Sequence, residues 1–182
     1  MGCPVDFTGL SVSYACGELA SGGLKSVYLV DRADLLENGG VTVSAGALSI
    51  AADLSTTPTV VLELGFNNKD GFSNFTDVKT VNADGTSSCV PTIQMEFLRM
   101  NSDKRNSLEA IAVPGAELVA FVETAAGTYH AVGYEFGLYA SSVDGASGAS
   151  RTDKNRYQLT LVGDENSLAL TMDAAAFAKV GA

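Results

Sequence analysis

Tryptophan is absent from this sequence, histidine occurs once, and charged residues make up only 18% of the chain. Each scarcity removes a class of function. A single histidine, His130, with no cysteine near it in sequence, cannot build a zinc site. It reads as a satisfied strand residue inside a hairpin strand, flanked by Tyr129 and Val132. No Gly-x-Ser-x-Gly sits at a strand-to-helix turn, so there is no nucleophile elbow. Although glycine is plentiful at 19 residues, its spacing matches neither the Walker nor the dinucleotide fingerprint. Eleven Lys and Arg stand against 21 Asp and Glu, giving a net charge of −10. That balance excludes a nucleic-acid binder, which needs clustered cations to displace counterions from phosphate. It does not exclude a wall that DNA slides past, because negative charge repels phosphate.

Three further absences concern the chain's surroundings. No apolar run approaches the roughly 20 residues of a membrane helix. The N-terminus shows no basic segment followed by an apolar core, so no secretory signal is expected. Met1-Gly2 resembles a myristoylation start, but Asp6 stands where Ser or Thr is required. Cys3, Cys16 and Cys89 are an odd and scattered set, read as free thiols, with a Cys3–Cys16 clip of the N-terminal segment as the alternative.

Other chemical patterns are weak. Asn67-Asn68-Lys69-Asp70-Gly71 resembles a calcium loop but lacks alternating acids and a closing Glu. Glu63, Asp77 and Glu96 could approach one another in a sheet as a carboxylate pair, which the 21 acids make an expected coincidence. Asn74-Phe75-Thr76 is a glycosylation sequon without a secretory signal to support it. The expectation is therefore a chain with no catalytic residues, no cofactor and no metal, and not an enzyme.

What is present is β periodicity. The 182 residues fit a single domain at 24–182 preceded by an arm at 1–23. Leu24–Val30 reads as a strand closed by a turn at Asp31-Arg32-Ala33-Asp34, with weak strands at Val41–Val43 and Leu48–Ala51. Thr59–Phe66, Ile93–Phe97 and Arg156–Val162 alternate apolar with polar residues, the mark of half-buried antiparallel strands. Leu118–Val122 is apolar on both faces and predicts a buried central strand, with Thr128–Tyr134 as its hairpin partner. A helix is predicted over 102–112, capped by Asn101, and a short terminal helix after Asp173 through Lys179. Leu138–Ser142 extends a strand, and 141–155 reads as a polar loop. These add up to eight to ten strands in an antiparallel β-sandwich or barrel with one flanking helix.

One segment is unusual. Residues 72–99 form a long hairpin through the Asp84-Gly85 turn. Its outer half, 72–92, is polar on both faces. Such a ribbon cannot stabilise itself alone in water, so neighbouring chains are expected to complete its ladders, with a solvated, mobile hairpin tip as the alternative.

Four segments carry a family resemblance. They are Cys16-Gly17-Glu18 leading into Gly22–Leu29, Met95–Met100 followed by Lys104-Arg105, Leu118–Glu123 with Gly127-Thr128-Tyr129, and Ser147–Tyr157. In this order they resemble virion structural proteins of tailed bacteriophages, of the crAss-like and related kind. The element order is similar to that of tail-tube proteins. The resemblance implies a subunit made in the host cytoplasm that assembles with itself into stacked rings, usually hexameric, in the phage tail. Its hairpin would line a channel through which DNA passes as cargo, with no membrane partner. Loops 31–47, 66–72 and 141–155 and the arm would then touch neighbouring rings or tail proteins. Head–tail connector, tail-terminator and neck-ring proteins share related folds; a capsid decoration or fibre-associated protein and a bacterial β-sandwich binding module are the remaining alternatives.

Overall fold

The computed structural model describes residues 22–54, 61–63, 65–66, 72–150 and 152–181. Among them the chain runs β1 (Leu24–Asp31), α1 (Arg32–Asn38), β2 (Val41–Ser44), β3 (Ala47–Ile50), β4 (Val61–Glu63), β5 (Asn74–Val81) and β6 (Ser87–Leu98). It continues through α2 (Ser102–Ile111), β7 (Leu118–Thr124), β8 (Tyr129–Val132), β9 (Leu138–Ala146), β10 (Arg156–Gly163), β11 (Leu170–Met172) and α3 (Ala174–Ala178). The fold is mainly β with flanking helices, as the alternation predicts.

The strands form one sheet folded back on itself. One limb is ordered β4-β1-β7-β8-β11-β3-β2 and the other β9-β10-β6-β5. They join where Leu118 of β7 pairs with Leu138 of β9. Val27, Leu29, Ala120 and Val122 from the first limb pack against Ile93, Met95, Leu159 and Leu161 from the second. Leu108 and Ile111 of α2 close this core. On the far side of the first limb, Val30, Val119 and Phe121 pack beneath Leu35 of α1 and Phe177 of α3. Strand β7 is therefore buried on both faces, which is why it carries no alternation. Among the described residues all strand pairings are antiparallel except β11 with β3.

Local chemistry explains the helices. Asn101 Oδ1 accepts the Lys104 N–H at 2.9 Å and starts α2. Asp173 Oδ1 accepts the Ala176 N–H at 2.6 Å and starts α3. Asp31 does the same for α1, accepting from Ala33 at 2.9 Å. The stretch read as a turn at 31–34 is thus a cap and a first helical turn, and Leu35 anchors the helix in the core.

A second correction concerns 141–155. Backbone pairing carries β9 on to Ala146, with Asp144 opposite Gln158 and Gly145 opposite Tyr157, so the loop is shorter than its polar composition indicates. The β9–β10 register shifts at Thr160/Leu161, leaving Ser141 as an extra residue in β9. Residues 1–21 of the 1–23 arm, Cys3, Cys16, positions 59, 60 and 64 of the Thr59–Phe66 strand and the 67–71 pattern lie outside the described residues.

Candidate assembly edges

The β5–β6 hairpin sits at the end of its limb. β5 pairs with β6 along its whole length, from Asn74 opposite Gln94 to Val81 opposite Ser87. Among the described residues no strand pairs with the other side of β5. β6 joins β10 only from Thr92 onward. Pro91, lacking an N–H, cannot extend that ladder. Over Ser87–Pro91 the sole contact of this kind among the described residues is a bridge in which Cys89 and Glu165 exchange backbone hydrogen bonds of 2.7 and 2.8 Å. Beyond that bridge the ribbon is exposed on both faces, including Val78 (57%) and Val81 (71%).

The tip is nonetheless closed by its own hydrogen bonds. Asn82 N–H donates to Thr86 O at 2.8 Å, and Thr86 donates its N–H and hydroxyl to Asp84 Oδ1 at 2.9 and 2.7 Å. The hydroxyl and then the N–H of Thr86 hold the Asp84 carboxyl below its usual range. At the root, Phe75 packs on the core and Asp77 Oδ2 accepts the Ala169 N–H at 2.6 Å. Strand alternation aims Asp77 inward, an arrangement that limits which partners an open edge will accept.

The opposite margin of the limb is β9. It pairs with β10 over Leu138–Ala146, but with β7 only at Leu138. Among the described residues its remaining edge meets no strand. Neither β5 nor β9 contains proline. Because β9, β10, β6 and β5 alternate in direction, the two open strands run antiparallel to each other. The solvent-facing side of the limb carries Thr76, Thr92, Gln94, Ser142, Gln158 and Thr160, with Val78, Tyr139, Val162 and Asp144 on the same face. It is rich in hydroxyls and amides, and the acids are not concentrated there.

One charge on that side is sealed. Glu96 is completely buried. Arg156 Nη1 lies 3.0 Å from its Oε2. Lys154 Nζ straddles the carboxylate, 3.1 Å from Oε1 and 3.4 Å from Oε2, the first being an ion pair outside hydrogen-bond geometry. The Arg156 guanidinium also lies over the Phe72 ring. This cluster fastens the β9–β10 connection and residue 72 onto the sheet.

A second brace lies at the hairpin root. Glu165 accepts the Glu135 and Phe136 N–H groups at 3.1 and 3.2 Å, and Glu135 in return accepts the Asn166 N–H at 3.0 Å. Arg32 donates to Tyr134 O and Glu135 O at 3.0 and 2.5 Å and to Glu117 at 3.1 Å. Burial pushes the Glu165 carboxyl up, against the pull of the Phe136 and Glu135 N–H groups.

The residues singled out for chemistry do not converge. Asp77 faces inward and Glu96 lies on the other face, so they form no pair. His130 is half-buried, its Nε2 3.2 Å from Thr128 Oγ1 and its ring 5.9 Å from Phe75. Burial lowers its pKa. Cys89 is buried and free, and burial raises its thiol pKa, which keeps it protonated and unreactive. Asn74 of the sequon begins the edge strand. Among the described residues no His, Cys, Asp or Glu cluster could hold a metal, and no helix is long and apolar enough to cross a membrane. Comparison with known protein families, with curated proteins and with solved structures returns no match to this chain.

Proposed function

We propose that this chain is a structural subunit of a phage virion, built in the manner of a tail tube and assembling with itself into rings around a DNA-conducting channel. The observation that supports the reading is the pair of open, oppositely directed strands at the two margins of the β9-β10-β6-β5 limb. When copies are related by rotation about an axis along the strands, β5 of one meets β9 of the next in antiparallel pairing. Each junction then satisfies backbone groups that the single copy leaves to water.

Four strands at about 4.8 Å each contribute about 19 Å of circumference. Six copies would give an untilted diameter of about 37 Å, larger with strand tilt. The hydroxyl- and amide-lined side of the limb faces the channel, since the first limb and its helices occupy the other side. DNA slips past such a wall because it offers few cations to grip phosphate.

The test is negative-stain microscopy with sedimentation of the purified protein. Rings or tubes are expected, and a strict monomer at high concentration overturns the reading. The same geometry serves a neck or connector ring, and copy number per particle separates the two, because a tube uses many rings.

A further inference from the structure

The two ends of the β9-β10-β6-β5 limb differ in chemistry. At one end Asp31 is level with Leu118, Leu118 with Leu138, and Leu138 with Gly163. The 133–137 and 164–169 loops therefore share that end with the start of α1. Asp31, Asp34, Glu117, Glu135, Asp164 and Glu165 gather there. Arg32 is already engaged with Glu117 and two carbonyls. Amid these acids Phe136 is 57% and Leu168 52% exposed. Their loops are cross-braced through Glu135 and Glu165, so presenting these side chains costs little further ordering.

At the other end Arg156 is level with both Leu98 and Ala146. The β6–α2 corner there carries Arg99, Lys104 and Arg105 beside Leu98 and Met100, which are 40% and 37% exposed. This corner is also pinned: Arg99 N–H donates to Asn155 O at 2.8 Å and Met100 N–H to Asn155 Oδ1 at 2.9 Å. Asp103 in the first turn of α2 offsets part of the positive charge, and Glu109 is paired with Arg105.

Two patches of the same make, each an exposed apolar pair with charges of one prevailing sign, lie at opposite ends of the same strands. They cannot meet within one copy. We propose that the Phe136–Leu168 platform of one copy docks onto the Leu98–Met100 corner of a second copy, so that subunits add end to end in one direction. Contact between two acidic ends would press like charges together and is disfavoured. A head-to-tail contact does not close on itself, so it propagates. The proposal deepens the self-assembly reading by naming what joins successive rings.

The test uses Phe136→Asp and Met100→Asp, each at an exposed position, followed by sedimentation velocity and microscopy. Each variant alone stops at the unit it forms laterally, with the onset of elongation raised about tenfold or more. A one-to-one mixture gives a species of twice that mass, because each variant retains one working end. Arg105→Glu stands in for Met100→Asp if the latter loses its native circular dichroism. Elongation by Phe136→Asp alone at the wild-type onset concentration, or a mixture with no new species, overturns the proposal. If wild type forms no rings but the mixed variants still pair, ring closure fails and the end-to-end contact stands.

Discussion

Ala45 and Gly46 join β2 to β3, and both have positive φ, 50° and 78°. Such a two-residue turn favours Asn-Gly, because a left-handed alanine is strained. Ala45→Asn is expected to stabilise the fold by about 0.5–1 kcal/mol, read as a melting rise of about 1–4 °C. Glu165 gives a signed pH effect. Its carboxyl is harder to ionise in the folded chain than in the unfolded one. As pH rises from the ordinary value of 4.5 through the raised folded value, the unfolded chain releases its proton first, and stability falls. Urea unfolding from pH 4 to 7 should show wild type losing ground to Glu165→Gln as pH rises, and a flat difference refutes this. At Glu96, substitution by Ala removes the buried carboxylate that Lys154 and Arg156 share. Because those side chains are 38% and 32% exposed, water takes up part of the charge. The expected loss in chemical denaturation is about 1–3 kcal/mol, below that for a fully buried pair.

Consecutive residues of a strand point their N–H groups to opposite sides. Of Val78→Pro and Lys79→Pro, one therefore removes a donor from the β5–β6 ladder and the other removes only an outward donor from β5. The first is expected to cost about 1–3 kcal/mol of monomer stability. The second leaves monomer stability near wild type and abolishes lateral assembly. Equilibrium unfolding paired with sedimentation separates the two, and ring formation by both variants would sink the β5 seam. At this scale much was readable in advance. Alternation located β6 and β10, the uninterrupted apolar run located β7, and the Asn101 and Asp173 caps placed α2 and α3. α1 was missed because seven residues are too few to display a helical period, and Asp31 serves equally as a turn former and a cap. β9 was cut short because Ser141–Ala146 is small and polar, and only pairing with β10 makes it a strand. The Glu96 and Glu165 braces join residues 29 to 60 positions apart, a spacing that carries no local signal.

At the scale of the molecule, protection should track burial. β7 amides around Phe121 are expected to exchange with solvent only through global unfolding, whereas the outward amides of β5 exchange quickly in the monomer. If the proposed ring forms, those β5 amides are expected to become protected, and hydrogen exchange on matched monomer and assembled samples checks this. Phe121→Ala, at 0% exposure, should cost about 3–5 kcal/mol, while Phe136→Ala should stay within about 0.5 kcal/mol. The polar outer faces of the hairpin are legible in the sequence, and the structure leaves them exposed. The second open margin, at β9, emerged only from the order of the strands.

That order has an arithmetic consequence. In the proposed ring each copy would bring four strands, an even number, to a shared cylinder, so up-down alternation would survive the addition or loss of any whole subunit. Strand direction therefore forbids no stoichiometry. The count falls instead to curvature, to which the extra Ser141 in β9 contributes by sharpening local twist. Deleting that one residue is a way to redraw the circumference while every seam keeps its polarity.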